Sequence, residues 1–127
     1  MQTCVLLSIK PQFVESIMKG EKQYEFRRRV FKRPNVTTVI IYATAPISKV
    51  VGEFEIEAII ELEVNNLWEE TKSQAGIEET YFQSYFAGRD SGYAIKVGKP
   101  FRYAEPKTLI DDFNINFAPQ SFIYINL

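Results

Sequence analysis

One long alternating segment constrains the fold more than any other feature of the sequence. Part of the segment from Lys49 to Val64 alternates: glutamates at positions 53, 55, 57, 61 and 63 are interleaved with apolar residues. That is the two-residue period of a β-strand with one polar face. The alternation changes phase at residues 58–60 and resumes at Glu61, which indicates a bulge or bend. A long, bent strand fits a small β-barrel better than a flat sheet.

Shorter elements complete the predicted fold. Pro11 suits the first turn of a helix, and the apolar residues at positions 13, 14, 17 and 18 share one face of that helix before Gly20 stops it. The patterns predict strands over 3–9, 22–30, 37–44, 93–97, 101–103 and 121–127, and helices over 11–19, 66–74, 78–86 and 109–113. Repeated βαβ units are missing from this order, so a doubly wound sheet is not expected. We predict a single α+β domain over residues 1–127, with a small barrel of five to six mostly antiparallel strands and short helices over its openings.

Two residue counts limit the chemistry. The 127 residues include no histidine and one cysteine, Cys4. Serine–histidine triads, cysteine–histidine dyads, histidine-ligated zinc, internal disulfides and thiolate clusters are therefore excluded. Acid–base chemistry is left to Lys, Glu, Asp, Tyr or Cys, and we predict no metal and no cofactor. There is no apolar run long enough for a membrane span and no signal peptide pattern, so we expect a cytoplasmic protein with no membrane partner.

Charge is unevenly distributed along the chain. Residues 19–33 hold seven basic and two acidic residues, a net charge of +5, whereas residues 53–79 hold nine acids and one base, a net charge of −8. The basic segment fits an anionic or phosphate-bearing ligand. Alternatively, the two segments pair with each other and the remaining charges are solvated. A third interpretation is that the acidic segment 53–79 binds a protein partner.

Three segments resemble the ASCH family of the PUA-like superfamily. The first is Leu7-Ser8-Ile9-Lys10-Pro11, leading into the first helix. The second, residues 20–27, is similar to the motif G-x-K-x-x-E-x-R at every fixed position, namely Gly20, Lys22, Glu25 and Arg27. The third is Val51-Gly52-Glu53-Phe54-Glu55. The resemblance implies a PUA-like barrel with a cleft between barrel and helix. It also implies a module that binds RNA, nucleotides or nucleosides, because some members resemble nucleoside amidohydrolases and others are ribonucleases.

The motif supplies the central candidate residues. A desolvated Lys22 beside other cations can act as a base or nucleophile, whereas a charged one can hold a phosphate. Glu25 and Arg27 lie two apart on one strand and share a face, where they can form a structural ion pair or contact a ligand. In the amidohydrolase-like members a threonine stands three residues after the lysine, but this chain has Glu25 there.

Further candidates flank the motif. Lys10 lies at a helix N-terminus, which attracts anions. Arg29 extends the basic segment and suits a phosphate contact, and Tyr93 can stack on a base or pack in the core. The resemblance adds Thr44, Gln120 and Ser121 as cleft candidates. The aromatic residues at positions 81, 82, 85 and 86 are interpreted as a core-facing helical stripe.

Two functions of different classes follow. The first is a regulatory module that binds RNA, a nucleotide or a nucleoside in a cleft lined by the motif. The alternative is a small hydrolase that needs no metal, of amidohydrolase or ribonuclease type, with Lys22 and Glu25 as its catalytic residues.

Overall fold

A computed structural model describes residues 2–127. The elements along the chain are β1 (Thr3–Ile9), α1 (Pro11–Met18), β2 (Tyr24–Arg27), β3 (Thr38–Ala43), β4 (Lys49–Glu63), α2 (Val64–Thr71), α3 (Glu79–Tyr85), β5 (Ser91–Lys107), α4 (Leu109–Phe113) and β6 (Phe122–Asn126). A short 3₁₀ turn, Lys72–Gln74, follows α2. No helix among these residues combines the length and apolar character needed to cross a membrane.

The six strands form one mixed sheet in the order β2-β5-β4-β3-β1-β6. Only β1 and β3 are parallel, and the other four pairings are antiparallel. This confirms the predicted α+β class with mostly antiparallel strands. It also confirms that β4 is one long strand: its pairing with β5 shifts register at three places, one of them between Ile56 and Ala58, close to the predicted bend.

Two strand boundaries differ from the prediction. Residues 93–97 and 101–103 belong to the single strand β5, because a register shift opposite Glu53 and Glu55 absorbs Lys99 and Pro100. Lys99 has a φ of 46°, and a bulge is one of the few places in a strand that accepts a proline. In contrast, β2 ends at Arg27 instead of Val30, since the chain there leaves β5.

The two edge strands, β2 and β6, do not pair with each other: no backbone ladder joins them within residues 2–127. The segment after β2 crosses the gap instead: the ring of Phe31 packs at 5.8 Å from that of Phe122, and Phe31 is buried in the main core. The barrel-like shape therefore depends on residues 28–33 filling the open side of the sheet.

Residues 2–127 form a core of three parts, and two of these parts position the site. One lies between the strands and α1 and includes Val14 and Ile17. The other packs α2 and α3 against β2 through an aromatic cluster in which Phe82 contacts both Trp68 and Phe26, with ring centroids 4.9 Å and 5.2 Å apart. Strand β2 lies where the two parts meet, which brings its charged residues between α1 and α3.

Candidate functional site

A cleft of about 120 Å³ opens between the end of β1, the start of α1, strand β2 and helix α3. Three cationic side chains and one carboxylate line it, together with aromatic rings from α1 and α3. The charged residues are Lys10, Lys22, Glu25 and Arg27, and the rings are those of Phe13, Phe26, Tyr81 and Tyr85. The motif residues are thus gathered around one cavity.

Lys22 is the most unusual residue of the cleft because it is only 2% exposed. Its Nζ donates a hydrogen bond to the carbonyl of Ala75 at 3.1 Å. The same ammonium lies 4.8 Å from the ring centre of Phe26 and 5.2 Å from that of Phe13, which are cation–π distances. Burial lowers the pKa of Lys22 below its usual value; Glu25 opposes this shift and Arg27 adds to it. The ammonium of Lys22 therefore loses its proton at a lower pH than that of a surface lysine.

Gly76 makes the burial of Lys22 possible. It has a φ of 68°, and a Cβ built on it would lie 2.4 Å from the Cβ of Lys22. Such a separation is a clash, so only glycine fits where this loop passes over the lysine. The same loop supplies the carbonyl of Ala75 that Lys22 bonds, and Ile77, the residue after Gly76, lines the cleft.

Glu25 and Arg27 form a buried ion pair. The Nη2 of Arg27 lies 2.9 Å from Oε2 of Glu25, and Nε of Arg27 donates to the same oxygen at 3.1 Å. Nη2 also donates to the carbonyl of Ser8 at 2.8 Å. These contacts hold the guanidinium between β2 and the end of β1. The expected structural ion pair is confirmed, and it is itself part of the cleft wall.

Aromatic residues form the rim. Tyr81 packs edge-on against Phe13 at 5.4 Å, and its hydroxyl accepts a hydrogen bond from Lys10 Nζ at 3.4 Å. Tyr85, one helical turn after Tyr81, also lines the cleft; burial raises the pKa of its phenol, while the positive charge of Arg27 opposes that shift. Rings beside cations are a common arrangement for holding a nucleobase and its phosphate.

The sequence-predicted site residues fall into three groups. Lys10, Lys22, Glu25 and Arg27 lie together in the cleft. Arg29 and Tyr93 line a separate groove.

Thr44, Gln120 and Ser121 line neither cavity. The amide of Thr44 donates to the carbonyl of Ile9 at 3.0 Å, and the carbonyl of Ser121 accepts from the amide of Ser8 at 3.3 Å, so both support the chain next to the cleft. Gln120 is exposed. The ligand contacts expected of these three residues stay predictions.

The sequence analysis missed two cleft residues on α3. Tyr81 and Tyr85 were assigned with Phe82 and Phe86 to one core-facing stripe, but only the two phenylalanines are buried in the core. The sequence contains a signal for this difference. The two tyrosines are four residues apart and share one side of the helix, and the two phenylalanines, also four residues apart, share the neighbouring side. The tyrosine side faces the cleft.

The basic and acidic segments do not neutralise each other. The four ion pairs among residues 2–127 are Glu25–Arg27, Glu69–Lys72, Glu55–Lys99 and Glu15–Arg102. None of them joins residues 19–33 to residues 53–79, so the interpretation that the two segments pair is wrong for the described chain. No group of three or more acidic or cysteine side chains that could hold a metal occurs in the same range.

Known proteins resemble this chain in both sequence and fold. The sequence model of the ASCH domain matches residues 7–101. An ASCH domain-containing ribonuclease from Zymomonas mobilis is 31% identical over 90% of this chain and 78% of that protein. The crystal structure of ASCH from Zymomonas mobilis superposes with a TM-score of 0.87 and 31% identity, covering 97% of this chain and 87% of that one.

The same sequence pattern occurs inside a longer protein. A large ribosomal subunit protein uL22 from Ureaplasma parvum is 31% identical over 71% of this chain, which corresponds to only 29% of that protein. The family match and the structural similarity confirm the resemblance drawn from the motif, and with it the PUA-like fold. The chain belongs to the ASCH domain family.

Proposed function

We propose that this chain binds RNA, with one nucleotide of the strand seated in the cleft. The observation that carries the proposal is the charge of the cleft: Lys10, Lys22 and Arg27 face a single carboxylate, which Arg27 already neutralises. A cavity with an excess of positive charge attracts a phosphate. The rings of Tyr81 and Tyr85 offer flat surfaces for a base or ribose at the same opening.

The relatives support RNA over other anionic ligands. The Zymomonas mobilis protein that shares 31% identity over 90% of this chain is named a ribonuclease. Free nucleotides and nucleosides share the same chemical groups, and they are therefore outcomes that the experiment must separate from an RNA strand. The exposed acids of residues 53–79 lie outside the cleft, and a protein partner at that surface stays a separate prediction.

A second candidate function is cleavage of the bound RNA. The observations in its favour are the burial of Lys22 in the cleft wall and the lowering of its pKa that this burial causes, since an amine that gives up its proton more easily can act as a general base. In this reaction Lys22 takes the proton of a ribose 2′-hydroxyl, and the 2′-oxygen attacks the adjacent phosphorus. The bond from phosphorus to the 5′-oxygen breaks, that oxygen takes a proton from water, and the hydroxide left behind takes back the proton that Lys22 had accepted. The products are a 2′,3′-cyclic phosphate and a 5′-hydroxyl end, and Arg27 stabilises the negative charge on the phosphate. Glu25 holds the guanidinium of Arg27 in place.

The test compares Lys22→Met with wild type and with Lys49→Met, which removes an exposed lysine outside the cleft. Binding of a fluorescein-labelled single-stranded RNA is followed by anisotropy at two salt concentrations, and cleavage is followed on a gel. We expect Lys22→Met to bind at least about tenfold more weakly and Lys49→Met to resemble wild type. Circular dichroism checks that each variant is folded.

The outcomes separate the two candidates. Equal RNA affinity in wild type and Lys22→Met overturns the cleft as the binding site. Tight binding of a mononucleotide together with no gain for a longer strand overturns RNA as the ligand. Binding without cleavage products overturns the ribonuclease candidate and leaves the binding function.

A further inference from the structure

A second groove runs across the open side of the sheet, between the edge strands β2 and β6. It has a volume of about 400 Å³. The basic residues that follow β2 form one wall, and aromatic rings of β5 and β6 form the other. The residues that matter for the argument are Arg28, Arg29, Lys32, Tyr93 and Tyr124.

The positive charges of this groove are not neutralised by carboxylates of the described residues. Arg28, Arg29 and Lys32 are exposed, and none of them belongs to an ion pair with any carboxylate among residues 2–127. None of the residues lining the groove within that range is acidic. Three unneutralised cations in one concave surface attract a polyanion.

One ring of the groove, that of Tyr124, is held in place by hydrogen bonds. The hydroxyl of Tyr124 accepts hydrogen bonds from the backbone amides of Lys32 and Arg33, at 3.0 Å and 3.1 Å. The guanidinium of Arg33 lies over the same ring at 4.4 Å. Tyr124 thus ties the basic segment to β6, so the cations and the aromatic surface keep one relative arrangement. Such preorganisation lowers the entropic cost of binding.

The groove adjoins the cleft through one contact between their linings. Arg27 lines the cleft and Arg28, the next residue, lines the groove. The guanidinium of Arg28 stacks at 4.4 Å over the ring of Tyr85, a cleft residue, and its Nε donates to the carbonyl of that tyrosine at 2.7 Å. A strand that leaves the cleft along β2 therefore meets Arg28 first and Arg29 next.

We propose that this groove binds the nucleotides that flank the one in the cleft, with Arg29 and Lys32 on phosphates and Tyr93 stacked against a base. This proposal rests on the proposed RNA binding. The protein then binds a strand several nucleotides long, with one subsite in the cleft and a second subsite in the groove. Phosphate contacts of this kind fix position on the strand without reading its sequence.

The test uses ligands of two lengths. A single nucleotide monophosphate occupies the cleft alone, whereas a hexauridylate strand is long enough to reach the groove. Kd is measured for wild type, the double variant Arg29→Ala/Tyr93→Ala, Lys10→Ala in the cleft, and the control Arg89→Ala. Arg89 is an exposed arginine that lines a different surface pocket, so it matches the charge lost at Arg29.

We expect the double variant to bind hexauridylate at least about tenfold more weakly and the monophosphate as wild type does. Lys10→Ala weakens the binding of both ligands, and Arg89→Ala changes the affinity for neither. Wild-type affinity of the double variant for hexauridylate overturns the groove proposal, and so does an equal loss in Arg89→Ala. If Lys10→Ala still weakens both ligands, the cleft proposal survives that result. If wild type binds neither ligand, both proposals are overturned.

Discussion

The buried pair of Glu25 and Arg27 allows a quantitative test of how the cleft is held together. We expect Arg27→Met to lower the free energy of unfolding by about 4 kcal/mol. Removing one partner of a buried pair leaves an uncompensated charge and costs about 3–5 kcal/mol. The carbonyl of Ser8 also loses its donor, whereas Lys22 in the same cavity offsets part of the charge left on Glu25.

A double-mutant cycle isolates the interaction of the pair; it adds Glu25→Gln and the double variant Glu25→Gln/Arg27→Met to the comparison. The Ser8 carbonyl loses its donor in both Arg27→Met and the double variant, so that cost cancels and the coupling energy reports the interaction between the two side chains. We expect a coupling of at least about 2 kcal/mol. Urea unfolding followed by the fluorescence of the single tryptophan, buried Trp68, measures it.

An exposed pair of the same length serves as the control. Arg102 and Glu15 approach to 2.9 Å, as Arg27 and Glu25 do, but their side chains are 46% and 55% exposed against 11% and 8% for the buried pair. We expect Arg102→Met to cost less than about 1 kcal/mol. A coupling below about 0.5 kcal/mol between Glu25 and Arg27, or equal losses at the two pairs, would refute the reasoning from burial.

Three further predictions concern the pKa of Lys22, the glycine that packs over it, and the buried ring of Phe82. Because burial lowers the pKa of Lys22 below its ordinary value near 10.5, the unfolded chain binds more protons than the folded one as the pH approaches that value. The free energy of unfolding therefore gains a contribution that rises with pH. Urea unfolding at several pH values from about 7 to 9.5 should show a smaller rise of that free energy in Lys22→Met than in wild type. The same pH dependence in both proteins would contradict the burial of the ammonium. Gly76→Ala should lower stability by about 2 kcal/mol or more, because it adds a clash with Lys22 to the strain of a positive φ, whereas Gly20→Ala, with a φ of 79° and open space around it, should cost about 1 kcal/mol. Thermal unfolding measures both, and equal losses would count against the close packing over Lys22. Phe82→Ala should cost about 3–5 kcal/mol, since this ring is fully buried, and a loss below about 1 kcal/mol in the same assay would show that α3 does not anchor the second part of the core.

Local pattern was sufficient for much of the fold. Residue alternation identified β4 with its bend, and the proline and glycine around α1 marked both of its ends. These features depend on near neighbours in the sequence, so a single sequence contains them. The continuity of β5 could not be predicted, because Lys99 and Pro100 remain in the strand only through a bulge that β4 accommodates.

Some residues of the cleft could likewise be predicted from local sequence, and others could not. Lys22, Glu25 and Arg27 come from one short segment, and their spacing alone indicates that they lie close together. Tyr81 and Phe13 reach the cleft because α3 packs beside α1, a contact between residues 68 positions apart in the chain that no local pattern encodes. The separation of Arg29 and Tyr93 from the cleft likewise depends on where the chain turns after β2.

Stability alone does not account for the residues of the cleft. A buried lysine with a lowered pKa costs free energy that an apolar side chain of similar size avoids, and apolar replacements of buried ion pairs are often neutral or stabilising. Yet Lys22, Glu25 and Arg27 are all at most 9% exposed beside an open cavity. A surface lysine would bind a phosphate at lower cost to the fold, but its ammonium would be screened by water and free to move. Burial fixes the ammonium of Lys22 in position and weakens its hold on the proton, and both effects serve a site that orients a phosphate or takes a proton from a ribose hydroxyl.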